Sequence, residues 1–137
     1  MNAIDYTAIL PEGWDRARGF SWGVVANGSR ILRIAGQIGG ERGGVPVEAT
    51  ADFGVQWERA MGNLVTILRA AGGEPEHIVM LRAFVTDIDA FNGAGAAVGA
   101  AWGEHRGRHF PAMTLVEVNR LLDPNAMVEI EGEAVLP

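Results

Sequence analysis

Between Ala51 and Ala71 the apolar residues Phe53, Trp57, Met61, Leu64 and Leu68 recur at spacings of three and four. That period lays them in one stripe along a helix of about five turns. A stripe carrying two aromatic rings has to be buried against another layer. Gln56, Arg59, Asn63 and Thr66 fall on the other side by the same count. Thr50 or Asp52 can cap the start of the helix, and Gly72-Gly73 ends it.

The covering layer reads as strands. Phe20 to Ala26 and Arg30 to Gln37 flank an Asn27-Gly28 turn, which predicts a hairpin. Ile78 to Thr86 follows a Glu74-Pro75 turn. Ala112 to Asn119 and Met127 to Leu136 are joined through Asp123-Pro124-Asn125. A second helix is expected from about Asp89 to Glu104, with Phe91, Val98 and Trp102 on one face. Gly93, Gly95, Gly99 and Gly103 weaken it by up to about 1 kcal/mol each. The expectation is that these glycines let the helix pack very close to another element. The order is then β-β-α-β-α-β-β. It describes a single α+β domain over residues 1–137, a mixed sheet with both helices on one face. The outer face would leave Val24, Ile34, Val116 and Val118 in water, and association through that face would cover them.

Composition removes several chemistries. The chain of 137 residues has no cysteine, so it has no disulfide frame, thiolate nucleophile or cysteine-held metal. All eleven basic residues are arginine, so there is no Schiff-base lysine and no phosphate-loop lysine. A formal net charge of -6 argues against sequence-independent nucleic-acid binding. No apolar run is long enough to span a membrane, and residues 1–5 do not open a secretory signal. A cytoplasmic location is expected.

The strongest candidate chemistry lies in the last strand. Glu129, Glu131 and Glu133 share one face at period two, each ~6.6 Å from the next. Pairing with Arg30, Arg33 or Arg82 on neighbouring strands explains Glu131 and Glu133 as a solvated stripe. One carboxylate in a cleft would instead hold a water or pass a proton. Spacing does not choose among the three. His105 and His109 sit four apart, but Gly103, Gly107 and Pro111 end the helix there, and no metal site is expected. His77 reads as a loop or edge residue. The glycines from Gly39 to Gly44 read as turn formers, whereas the backbone at Gly36, near a strand end, can approach a ligand closely. Trp14, Trp22, Trp57 and Trp102 read as core or interface groups.

The run Phe110-Pro111-Ala112-Met113-Thr114-Leu115-Val116-Glu117-Val118, followed by Val128-Glu129-Ile130-Glu131, is the most specific stretch. Ala35-Gly36-Gln37-Ile38, Gln56, Asn63, Leu68, Ala70-Ala71-Gly72 and Phe84-Val85-Thr86-Asp87 stand upstream in order. Together these resemble the Rid family of reactive intermediate deaminases, the YjgF-type proteins formerly labelled L-PSP endoribonucleases. The resemblance runs from about Gly19 to the end. It implies a chorismate-mutase-like fold and a homotrimer with small-molecule clefts between subunits. It further implies hydrolysis of enamines or imines to a carbonyl product and ammonia, with no cofactor. By the same resemblance, Glu129 corresponds to the glutamate that holds the attacking water.

The chain departs from the family pattern at three points. Met113 stands where an arginine normally grips the substrate carboxylate, and a thioether offers it no donor. Ser21 falls near the usual tyrosine and Gly95 near the usual asparagine. The chain is thus similar to the branch lacking the arginine. A pocket lined by Phe20, Ser21, Trp22, Met113 and Leu115 is expected, with Ala35 and Gly36 offering backbone groups. Arg33 or Arg108 would be the replacement for the lost charge. The leading expectation is a deaminase-type hydrolase with altered substrate choice. The alternative is a non-catalytic trimer binding a small ligand or partner protein. An endoribonuclease has the least support.

Overall fold

The long apolar stripe forms α1 (Phe53–Ala70) in the computed structural model, which describes residues 4–137. The Asp52 side chain caps it, accepting from the Val55 amide at 2.9 Å. Gly72 closes it at φ 85°, a left-handed conformation that glycine adopts without penalty. Trp57, Met61, Leu64 and Leu68 are completely buried.

They pack on a four-stranded sheet in the order β3-β6-β4-β5. Its strands are β3 (Arg30–Ile38), β4 (Ile78–Val85), β5 (Ala112–Glu117) and β6 (Val128–Leu136). β6 runs antiparallel to both neighbours, while β4 and β5 are parallel. The parallel pair requires a crossover, which the second helical segment supplies. The α+β plan with helices on one face of a mixed sheet is the one expected.

Four details differ from the sequence expectations. First, the hairpin does not form. β2 (Gly23–Asn27) pairs with β1 (Asp5–Ile9), a strand the sequence reading missed. β3 instead pairs with β6, and the Ser29 amide reaches Leu136 O at 2.9 Å. β3 is the edge strand of its sheet, laddered to β6 alone, and β2 pairs with β1 in a separate two-stranded sheet. One parallel bridge, Ser21 to Ala112, ties the β1–β2 ribbon to β5.

Second, the expected second helix is two helices, α2 (Ile88–Gly93) and α3 (Gly95–Arg106), broken at Ala94 (φ -100°, ψ 21°). Asp87 caps α2, accepting from the amides of Asp89 and Ala90. The glycines of this segment do not serve close packing. A Cβ placed on Gly93, Gly95, Gly99 or Gly103 meets no atom within 4 Å. The close approach uses glycines of α1 instead. A Cβ on Gly54 would sit 2.9 Å from that of Ala97, and one on Gly62 would sit 3.0 Å from the His105 ring.

Third, Gln56 and His77 are buried. Gln56 fastens α1 to the approach of β6. Its amide donates to Ala51 O and Asn125 O at 3.1 Å each, and its carbonyl accepts from the Met127 amide at 2.7 Å. His77 Nδ1 accepts from the Glu74 amide at 3.0 Å within the short turn Pro75–His77. Both side chains are satisfied by backbone groups, which is what lets them sit inside.

Fourth, Ile34 faces the core at 3% exposure. The apolar groups left on the surface include Val25, Ile31 and Val116, while Val24 and Val118 are half-buried. Among the described residues, no helix is long and apolar enough to cross a membrane.

Gln56→Leu should lower stability by about 2–3 kcal/mol in urea unfolding, because it strands three buried backbone groups. Gly99→Ala should do the opposite. It removes a helix penalty of up to about 1 kcal/mol and meets no obstruction, so the urea midpoint should rise.

Candidate active site

Along β6 the even positions Val128, Ile130, Gly132, Ala134 and Leu136 face inward, so the three glutamates project from the opposite face. Two of them are paired. Arg82 lies 3.3 Å from Glu131 and 3.7 Å from Glu133, and Arg33 lies 3.7 Å from Glu133. Glu129 has no ion pair among the described residues. The structure thus separates three carboxylates that spacing could not.

Glu129 lies directly over Gly36, where any Cβ would collide with its carboxylate. Ala35 and Gly36 fall in a break of the β3–β6 register, between Ile34 and Gln37. An irregularity of this kind takes backbone groups out of the ladder and turns them toward a neighbouring site. Glu129 and Gly36 line a cleft of 580 Å³ together with Gln37, Arg42, Asn63 and Asn125. The Asn63 amide holds the cleft wall, donating to Ile38 O at 3.2 Å and Gly40 O at 3.1 Å.

Met113 and Leu115 lie elsewhere. On β5 they alternate with the exposed Thr114 and Val116 and turn toward the helices. They line a separate cavity of 840 Å³ with Phe20, Trp102 and the glycines of α3, including Gly95. Arg18 and Arg108 are also in its lining. Arg33, the other arginine considered for the lost charge, is on the far face with Glu133.

Ser21 and Trp22 border a third hollow of 260 Å³, which shares Phe20 with the large cavity. The Ser21 hydroxyl donates to Phe110 O, and Trp22 Nε1 donates to Asp15 O at 2.9 Å. Trp22 stands edge-on to Trp14, with ring centres 5.3 Å apart, and both rings are exposed. The expected site residues therefore divide among three places in one chain.

The sequence reading assigned nothing to a polar knot behind the cavity. Tyr6, the only tyrosine, donates to Phe110 O at 3.2 Å and lies 4.8 Å from the His109 ring. The Arg106 guanidinium stacks on Trp102, 3.3 Å from its ring centre, and donates to His109 O at 3.1 Å. Its Nε and Nη2 are buried with no partner. Burial pulls Arg106 down to about 9, against the opposing pull of Tyr6, and it stays cationic at neutral pH. Burial also raises Tyr6 and lowers His109. Tyr6 comes from β1, about a hundred residues before Trp102, Arg106 and His109, and no local motif announced that meeting.

Among the described residues, one grouping has the side chains a metal would need. Glu58, Glu104 and His105 bring possible ligand atoms within 4.8 Å of one another. His105 Nε2 is already engaged with Glu58 at 2.9 Å, which accounts for the arrangement as a contact between α1 and α3. His109 turns away to Ile78 O at 2.7 Å.

A model of the family described as Endoribonuclease L-PSP matches residues 15–136. The 2-iminobutanoate/2-iminopropanoate deaminase of Escherichia coli K12 is 36% identical over 88 residues, 64% of this chain and 67% of the relative. Its Salmonella typhimurium counterpart is 34% identical over 98 residues, 68% of this chain and 75% of the relative. Among solved structures, the Rid-family protein YyfB of Yersinia pestis superposes with a TM-score of 0.81 at 28% identity. It covers 96% of this chain and 98% of that one. The YjgF product of E. coli gives 0.65 at 32% identity, covering 94% and 98%. The fold is thus the chorismate-mutase-like α+β arrangement of these proteins.

The half-buried His109 yields a pH test. Its depressed value means the folded state prefers the neutral ring, which donates to Ile78 O. The stability it contributes is present above the ordinary value of about 6.5 and is lost as pH falls through the lower folded value. Urea midpoints should therefore drop as pH falls below about 6.5, and His109→Gln should flatten that slope.

Proposed function

Because the chain belongs to the Rid family, we propose that it is a deaminase-type hydrolase acting on an enamine or imine, as a single-domain cytoplasmic protein working as a homotrimer. The observation that carries this reading is the placement of Glu129 and Met113 on opposite faces of one sheet. They cannot meet on one small ligand within a chain. A subunit contact that presents the Glu129 cleft of one copy to the Met113 cavity of the next completes a site. The exposed Trp14, Trp22, Val25 and Ile31 give such a contact apolar surface to bury.

In that site Glu129 orients a water and accepts its proton as the oxygen adds to the carbon of the C=N bond. The same carboxyl group then returns the proton to nitrogen. As the C–N bond breaks, the hydroxyl proton passes through Glu129 to the leaving nitrogen, giving a carbonyl product and ammonia. Backbone groups at Ala35 and Gly36 offer hydrogen bonds to the reacting C–N group, and Phe20 and Leu115 flank the apolar part of the substrate. The relatives named above act on 2-iminobutanoate and 2-iminopropanoate. Met113 in place of a carboxylate-binding arginine changes the choice here, because a thioether cannot form the bidentate pair.

A non-catalytic ligand-binding trimer is the second reading, favoured by that same loss of a polar anchor. The nuclease description of the family is not carried over, since a net charge of -6 without a single lysine gives no footprint for phosphate backbones.

The test generates imines in place with an amino-acid oxidase and follows carbonyl release. Glu129→Gln should lower kcat by about a hundredfold or more with the fold intact. Met113→Arg should shift preference toward small 2-imino acids. Native mass spectrometry should give a trimer. A monomer, or a Glu129→Gln variant as fast as the parent, would sink the proposal.

A further inference from the structure

The glycines of α3 remain unexplained by packing. Gly95, Gly99 and Gly103 recur at four-residue spacing, each weakens the helix, and a Cβ on any of them meets nothing. All three line the 840 Å³ cavity. Their effect is space: side chains here would project into the cavity from its helical wall. Phe20, Phe110, Met113 and Leu115 add apolar lining. A cavity of this size falls in the range of ~300–1,000 Å³ that takes drug-sized molecules. An imino acid of three or four carbons would leave most of it empty.

The charge around the cavity has one sign. Arg18 and Arg108 line it, neither has an ion pair among the described residues, and the lining contains no acid. Arg106 adds a third cation, stacked on Trp102 with two nitrogens unpartnered. In a chain with 17 acidic and 11 basic residues, this local excess of cations runs against the overall balance.

We propose that the cavity takes an amphiphilic carboxylate, an aryl or medium-chain body lying along the glycine face of α3 with its carboxylate held by Arg108 and Arg18. This rests on the hydrolase reading for the identity of the site and adds the substrate class: bulky apolar imino or enamino acids. Arg108 and Arg18 supply from the rim the charge that Met113 does not supply from the floor. A guanidinium on a carboxylate makes a strong charge-assisted pair.

Calorimetric titration of the full-length protein tests it without requiring turnover. The probes are 4-phenylbutyrate, the neutral 4-phenylbutanamide, and propanoate. The acid should bind at least about tenfold tighter than either other probe. Arg108→Gln should abolish the difference between acid and amide and leave amide binding in place. Gly99→Leu should weaken acid and amide alike by about tenfold or more, without loss of thermal stability, since leucine favours helix. Should that variant misfold, Gly103→Ala repeats the test with one methyl group. Arg33→Gln, on the far face, should change nothing.

Equal affinity for acid and amide in the parent, or unchanged affinity in Gly99→Leu, overturns the proposal, as does failure of 4-phenylbutyrate to bind. Binding as expected with no imine hydrolysed would refute the hydrolase reading and leave this one standing. Hydrolysis confined to small imino acids, without binding of 4-phenylbutyrate, would do the reverse.

Discussion

A strand has two faces, and β6 uses both without exception. Its nine residues alternate between the core beneath α1 and the open side of the sheet. Because β6 lies between β3 and β4, its register fixes that of both neighbours. A one-residue slip would drive three glutamates into the packing of Trp57, Leu64 and Leu68. That penalty holds the alignment, and with it the position of Glu129 over Gly36. The same rule applied to β5 turns Met113 and Leu115 the other way. The two halves of the candidate site therefore stand on opposite sides of a layer one residue thick.

The stripe on α1 and the alternation of the glutamates in β6 were legible because each is a short-range period imposed by burial. The hairpin was misread because Asn27-Gly28 is a sound turn signal, while the partner of β3 lies about a hundred residues away at Leu136. Gln56 was misplaced for a related reason. Polar residues go inside when backbone donors or acceptors await them, and those come from distant segments.

At the site, the residues themselves were legible and their grouping was not. Glu129, Gly36, Met113 and Phe20 all border cavities, but linear order does not say that a sheet divides them. Ion pairing separated Glu129 from Glu131 and Glu133, and that depended on where Arg82 and Arg33 fall across strands. The glycines of α3 were noticed for their cost to the helix. Their surroundings reversed the inference: the close contacts belong to Gly54 and Gly62 on α1, and the glycines of α3 keep a volume empty.

The β1–β2 ribbon joins the main sheet through one backbone bridge at Ser21, reinforced by hydrogen bonds from Ser21 and Tyr6 to Phe110 and Pro111. The core strands are held by long ladders on both sides of β4 and β6. Stability is therefore unevenly distributed. The ribbon can lift away by breaking a few bonds, while the core opens only with global unfolding. Phe20 lies just before that attachment, on the border of both the large cavity and the smaller hollow. In thermodynamic terms, the entrance to the cavity belongs to the least cooperative part of the molecule, and its far wall to the most cooperative.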